Sequence, residues 1–291
     1  MRHRVYIAVW ALGLVVVAGL MLYFRVHVPA SRNGGPEPAV TPLVFLALAL
    51  LAFMCEAVDS SLGMGYGTTL TPVLLAAGFI PHSVIPAALF SQLVGGVFAG
   101  LLHHSYGNVD LRHNTPHSRV MYLLAACGIV GAAIATSLVL HLPPFYVKLY
   151  VGVLVLAIGV FVWISPRFAS RLSYRRIIGL GLLAAFNKGM SAGGYGPVVT
   201  GGQVLAGVDS KAAVGITAAA EAITCVAALV TLYLTGGRVN WNLALPLSVG
   251  AFASVPIAVS VVKHLPHHWV QRAISLGCLV LGTMTLLNLI G

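Results

Sequence analysis

Gly63-Met64-Gly65-Tyr66-Gly67 and Ala192-Gly193-Gly194-Tyr195-Gly196 are two versions of one phrase, each set inside apolar sequence where a continuous helix would be expected. Tyr66 and Tyr195 lie 129 positions apart, close to half of a 291-residue chain. Glycine frees the backbone from helical geometry. Paired glycine-rich breaks at corresponding points of two apolar halves point to helices interrupted for a purpose.

The duplication extends beyond the breaks. Gly107-Asn108-Val109-Asp110 returns as Gly237-Arg238-Val239-Asn240, offset by 130. His141-Leu142-Pro143-Pro144-Phe145-Tyr146-Val147-Lys148 returns as His264-Leu265-Pro266-His267-His268-Trp269-Val270-Gln271, offset by 123. Three landmarks in one order at a nearly constant offset define an internal repeat. The expected organisation is a first repeat over 42–165, a basic cytoplasmic linker over 166–173 and a second repeat over 174–291.

Composition names the solvent. The chain is 59% hydrophobic and 8% charged with a mean hydropathy of +0.96, against about 25% charged residues in a soluble domain. That suits a bilayer. The net charge of +10 comes from cations in short loops between apolar runs. It reads as topogenic positive-inside charge rather than a nucleic-acid surface. Cys55, Cys127, Cys225 and Cys278 are scattered through apolar segments without metal spacing, so they are packing residues. No catalytic serine–histidine elbow, metal cluster or cofactor motif stands out.

Residues 1–41 are expected to form an extra N-terminal transmembrane helix followed by a polar linker. The basic start Arg2-His3-Arg4 precedes an apolar run of 20 residues over 5–24, longer than the ~7–15 residues of a signal peptide core. The alternative is a cleaved signal ending near Val28-Pro29-Ala30.

Each repeat then contains a broken segment (42–80 and 176–208) and three long apolar runs, at 83–103, 119–141 and 145–165 and at 212–235, 241–263 and 269–290. The pieces after the breaks have only ~10 residues, about 15 Å of helix and half of a ~30 Å hydrocarbon core. A segment that enters, turns and leaves on the same side fits those lengths. Each repeat then crosses three times, and the two are inverted. With the N-terminus cytoplasmic, Arg2, Arg4, Arg112, Arg119, Arg167, Arg171, Arg175, Arg176, Lys211, Lys263 and Arg272 lie inside. Only Arg25, Arg32, Lys148 and Arg238 lie outside, which satisfies the positive-inside rule. The alternative, favoured by pieces before the breaks nearly long enough to span, is that each broken segment crosses fully and the halves are parallel. That arrangement satisfies the positive-inside rule less well.

Intramembrane charge marks functional candidates. Glu56, Asp59, Lys188 and Glu221 stand within apolar sequence; Lys188 is the 129-offset equivalent of Asp59, and Glu221 of Gln92. A broken helix exposes amide N–H groups that, with the helix dipole, favour an anion. The expected substrate site is therefore Gly65, Tyr66, Gly67, Thr68 and Thr69 with Lys188, Gly194, Tyr195 and Gly196. Pro197 suits the first turn of the second half-helix. Glu56, Asp59, Gln92 and Glu221 are candidates for a charge pair or proton coupling. Asp59 and Lys188 can alternatively form a structural salt bridge, and the glycines can be packing devices. The loop histidines His103, His104, His113, His117, His264, His267 and His268 read as interface residues rather than metal ligands.

At the glycine phrases, with Pro72 and Pro197 following them and the two Gly-x-Val-Asp/Asn loops, the chain resembles the sulfite exporter TauE/SafE family of anion permeases over about 42–290. Tyr66 and Tyr195 depart from that family's more glycine-rich run. The resemblance implies a multi-pass inner-membrane permease or exporter of a sulfur-containing oxyanion or organosulfonate such as sulfite. The expected fold is thus an all-α integral membrane protein of two inverted repeats, working by alternating access without a cofactor, with a small anionic solute and the lipid bilayer as its partners. A divalent-metal transporter using the intramembrane carboxylates and a non-transporting membrane subunit are the competing readings.

Overall fold

The computed structural model describes residues 39–77, 79–138, 144–164, 173–191 and 195–287, and every regular element among them is a helix. In chain order these are α1 (Pro42–Leu62), α2 (Tyr66–Ala76), α3 (Pro81–Ser105), α4 (Pro116–Leu138) and α5 (Pro144–Ile164). They are followed by α6 (Tyr174–Ser191), α7 (Tyr195–Leu205), α8 (Ser210–Leu234), α9 (Trp241–His264) and α10 (His267–Leu287). The expected helix over 5–24, most of the basic linker and Gly194 lie outside the described residues.

Local chemistry sets the helix ends. Thr41 accepts from the Val44 N–H at 3.3 Å and caps α1, with Pro42 opening the first turn. Asp209 caps α8 through Lys211 and Ala212, and Asn240 caps α9 through Asn242 at 3.1 Å. The repeated Gly-x-Val-Asp/Asn landmark is thus a loop that ends, in the second half, as a helix cap. In the first half Asp110 accepts from the Arg112 N–H at 3.0 Å.

The helices carry the signature of a membrane protein. Four of them, over Pro42–Leu62, Ser83–Ser105, Ser210–Leu234 and Trp241–His264, are long and apolar enough to cross a bilayer by length and composition. Their outward faces display Leu46, Leu101, Leu245 and Ile257, each more than half exposed. In water such a surface would be an aggregation hazard; against lipid it is the expected exterior.

The second broken segment is a hairpin. The Ser173 N–H donates to the Ala206 carbonyl at 3.2 Å, joining the start of α6 to the end of α7, and Gly202 of α7 packs on Leu180 of α6. The segment therefore returns to the end from which it left. In the first half, Glu56 lies against Gly95, and the Ser60 carbonyl meets His103 at 2.9 Å, so α1 runs parallel to α3. The short turn after α2 brings the chain back to the start of α3. The second limbs, 11 residues each, match the expected half-helices. The first limbs are longer, as the sequence leads one to expect of the segments before the breaks. At 21 and 18 residues they are about 32 and 27 Å long, close to full-span length.

The halves are exchanged rather than side by side: α1 packs along α9, and α6 along α4. Between them, α3 lies on α8 with Gly96 against Ala218 and Ala222, Gly100 against Ala219 and Gly215 against His103. Rising numbers in α3 meet falling numbers in α8, so these equivalent helices are antiparallel. The same holds for α5 and α10, where Gly152 meets Leu286, Leu156 meets Gly282, and Gly159 meets Leu279.

Candidate functional site

The two breaks touch. Gly63 ends α1 in the left-handed region at φ 68°, its N–H donating to the Asp59 carbonyl at 2.5 Å, a helix end that glycine adopts without strain. Gly196 lies so close to the Gly63 carbonyl and the Met64 backbone that a Cβ there would fall 2.5 Å from that oxygen. Thr200 seals the junction by donating to the Gly63 carbonyl at 2.8 Å. Its hydroxyl also lies 2.9 Å from that of Thr217, which accepts from Gln203. Thr200, Thr217 and Gln203 were invisible to sequence reasoning because each is one polar residue in an apolar run.

Next to this junction the buried charges assemble. Lys188 Nζ donates to Glu221 Oε1 at 2.7 Å, with the two side chains 4% and 8% exposed. The same ammonium lies 3.3 Å from Cys225 Sγ and 5.3 Å from the centre of the Tyr195 ring. Gln92 Nε2 donates to Glu221 Oε1 at 3.4 Å. Lys188 does not form the salt bridge to Asp59 that the sequence allows; its carboxylate partner is Glu221, on α8. Asp59, half-buried, accepts instead from the Tyr66 backbone N–H at 3.3 Å.

That contact makes the two half-helix N-termini unequal. The N-terminus of α2 is supplied with a carboxylate from its own chain. The equivalent position before α7 carries the Lys188 ammonium, which adds positive charge to a positive helix end. The two tyrosines differ in step. Tyr66 is fully buried and its hydroxyl is hydrogen-bonded to Ser91. Tyr195 is 1% exposed, yet its hydroxyl makes no hydrogen bond of regular geometry among the described residues. Thr224 lies near it; having donated its own proton to the Ala220 carbonyl at 2.9 Å, its oxygen can still accept.

The remaining candidates divide. Gly65 and Gly67 are buried at the first break, with Gly65 at φ 124°. Thr68 donates to the Gly65 carbonyl at 3.1 Å, so its hydroxyl serves its own turn and not the junction. Thr69 is half-buried beside it. Glu56 is 2% exposed, accepts from Ser60 Oγ at 2.6 Å, and lies within electrostatic reach of Asp59 and Glu221.

His103 departs from its reading as an interface residue. It sits in the last turn of α3, fully buried, with Nδ1 accepting from Asn108 at 3.0 Å and Nε2–H donating to the Ser60 carbonyl. The ring is a neutral strut from the loop to the broken segment, and Asn108 also donates to the Val259 carbonyl at 3.3 Å. Among the described residues, no group of three or more His, Cys, Asp or Glu side chains is arranged to hold a metal ion.

Fold and site together define an all-helical integral membrane protein with two interrupted helices meeting at a buried ion pair. The chain belongs to the sulfite exporter TauE/SafE family, whose model matches residues 48–285. It is 28% identical over 232 residues to the probable membrane transporter protein YtnM of Bacillus subtilis (strain 168), covering 75% of this chain and 74% of that one. It is 26% identical over 220 residues to the probable membrane transporter protein YfcA of Escherichia coli (strain K12), covering 73% and 78%. No solved structure matches it.

Proposed function

We propose that this protein is a secondary transporter of a small anion, held where the breaks meet by Lys188, the Tyr195 hydroxyl and the positive N-terminal end of α7. The observation that carries this is the Tyr195 hydroxyl. A buried donor without an acceptor is disfavoured, and this one stands beside a buried ammonium at a half-helix N-terminus. A sulfur oxyanion or organosulfonate such as sulfite would supply the missing acceptor; the family description and the relatives' names support that class.

The antiparallel packing of α3 on α8 and of α5 on α10 supports an inverted repeat. Equivalent helices related by a two-fold axis are antiparallel only when the axis is perpendicular to them, which for membrane helices puts it in the membrane plane. Alternating exposure of the junction would follow from rocking one repeat against the other. The loop cations support a cytoplasmic N-terminus in a cell inner membrane.

The divalent-cation reading would rest on Glu56, Asp59 and Glu221, which lie within electrostatic reach of one another but, among the described residues, form no group arranged to hold a metal ion. Flux into liposomes holding the purified chain separates the two. Uptake of sulfite or methanesulfonate supports the anion, and uptake of nickel or zinc without either anion supports the cation.

A further inference from the structure

We propose that Glu221 is a built-in competitor for the transported anion: an incoming anion displaces its carboxylate from Lys188, and Glu221 leaves the pair carrying a proton. The inference rests on the anion reading above and goes on to name the coupling ion and the residue that carries it.

The geometry already contains an anion in the site, and that anion is Glu221. Its Oε1 takes the Lys188 ammonium at 2.7 Å and the Gln92 amide at 3.4 Å. These are the donors that a substrate oxyanion would need. The Tyr195 hydroxyl, buried and without a regular hydrogen bond among the described residues, is the donor that the Glu221 carboxylate does not fill. A substrate with more oxygens than a carboxylate could engage the ammonium and the phenol together.

Displacement cannot leave Glu221 ionised. The groups facing it are Lys188 from α6, Gln92 from α3, Asp59 and Glu56 from α1, Tyr195 from α7, and Thr224 and Cys225 of its own helix, with Cys127 of α4 beyond Tyr195. Of these only Lys188 is a cation. A buried carboxylate stripped of its partner, with two further carboxylates nearby, takes up a proton instead. The charges balance. Before binding, the pair is one ammonium and one carboxylate. Afterwards it is one ammonium, one bound monovalent anion and one carboxylic acid. One proton is taken from the same aqueous side for each single negative charge, so a monovalent anion and its proton move together without net charge.

The pairing also sets apparent affinity. Only the fraction of molecules whose Glu221 is away from Lys188 can bind, and affinity falls by that fraction.

The full chain is tested with methanesulfonate, whose single charge does not titrate near neutral pH. In liposomes held without a membrane potential, wild-type uptake at about pH 5.5 should exceed that at about pH 7.5 by at least about fivefold, and an entrapped dye should report protons moving with the anion. Glu221→Gln should bind methanesulfonate at least about fivefold more tightly at the higher pH and lose both the pH dependence and the proton movement. A Glu221→Gln protein that keeps wild-type pH dependence or proton flux overturns the inference. Calorimetry on wild-type protein in two buffers of different ionisation enthalpy needs no variant: about one proton taken up per anion bound supports it, and none overturns it. If wild type takes up and binds neither methanesulfonate nor sulfite, the anion reading falls and this inference falls with it.

Discussion

Gln92 and Glu221 occupy equivalent positions in the two halves, 129 residues apart, and they hydrogen-bond to each other at 3.4 Å. Residues related by a two-fold operation touch only near its axis. Under the two-fold relation proposed above this contact would lie at the axis, and it falls on the side chain that holds Lys188. The symmetry is broken chemically at that point: one half supplies an amide, the other a carboxylate.

The two tyrosines provide a paired test. Tyr66→Phe removes a satisfied buried hydrogen bond to Ser91 and should lower stability by roughly 0.5–1.5 kcal/mol. Tyr195→Phe removes a hydroxyl that makes no such bond among the described residues. It should leave the melting temperature unchanged or raised while weakening anion binding several-fold. Thermal unfolding in detergent with binding on the same samples reads both. Equal destabilisation by the two changes would show that Tyr195 is satisfied like its counterpart.

Gly63 and Gly236 separate backbone strain from contact. Both have positive φ, 68° and 85°, but a Cβ at Gly63 would sit 2.4 Å from Thr200 Oγ1, whereas nothing lies within 4 Å at Gly236. Gly236→Ala should cost about 1–2 kcal/mol, the strain alone. Gly63→Ala should cost more and also impair transport, because Thr200 must leave its place on the Gly63 carbonyl. Equal losses in thermal unfolding would mean that the two breaks do not bear on each other.

Asp59 tests the inequality of the half-helices. Asn caps helix N-termini about as well as Asp, while Ala costs roughly 0.5–2 kcal/mol. Asp59→Asn should therefore keep stability close to wild type and tighten anion binding by removing a negative charge near Lys188. Asp59→Ala should lower the melting temperature. Destabilisation of the same size by both substitutions would place the role of Asp59 in its charge rather than its cap.

Inversion is read with thiol labels. Arg112 and Arg238 are exposed in the two equivalent loops, and the native cysteines are buried. In oriented cells, a membrane-impermeant thiol reagent should reach Arg238→Cys from outside and Arg112→Cys only after the membrane is opened. Labelling of both from one side would make the repeats parallel.

Much of this was legible because it depends on chain properties that repeat. Apolar runs marked the long helices to within a few residues, and the glycine phrases marked both breaks with second limbs of the right length. The partner of Lys188 was not legible. A constant offset tells which residues are equivalent, not which ones touch: Asp59 and Lys188 share the offset and do not pair, while Gln92 and Glu221 share it and hydrogen-bond. His103 was misplaced for a related reason. Its position at the end of an apolar run looks like an interface, and only the fold brings Ser60 and Asn108 to its ring.

If Lys188 holds the transported anion, removing its ammonium must weaken binding. The direct measurement is the concentration dependence of sulfite and methanesulfonate uptake into liposomes containing wild-type or Lys188→Ala protein, with monodispersity of each checked beforehand. Lys188→Ala should lower apparent affinity at least about tenfold, the equivalent of about 1.4 kcal/mol. Unchanged affinity in a folded Lys188→Ala protein would contradict it.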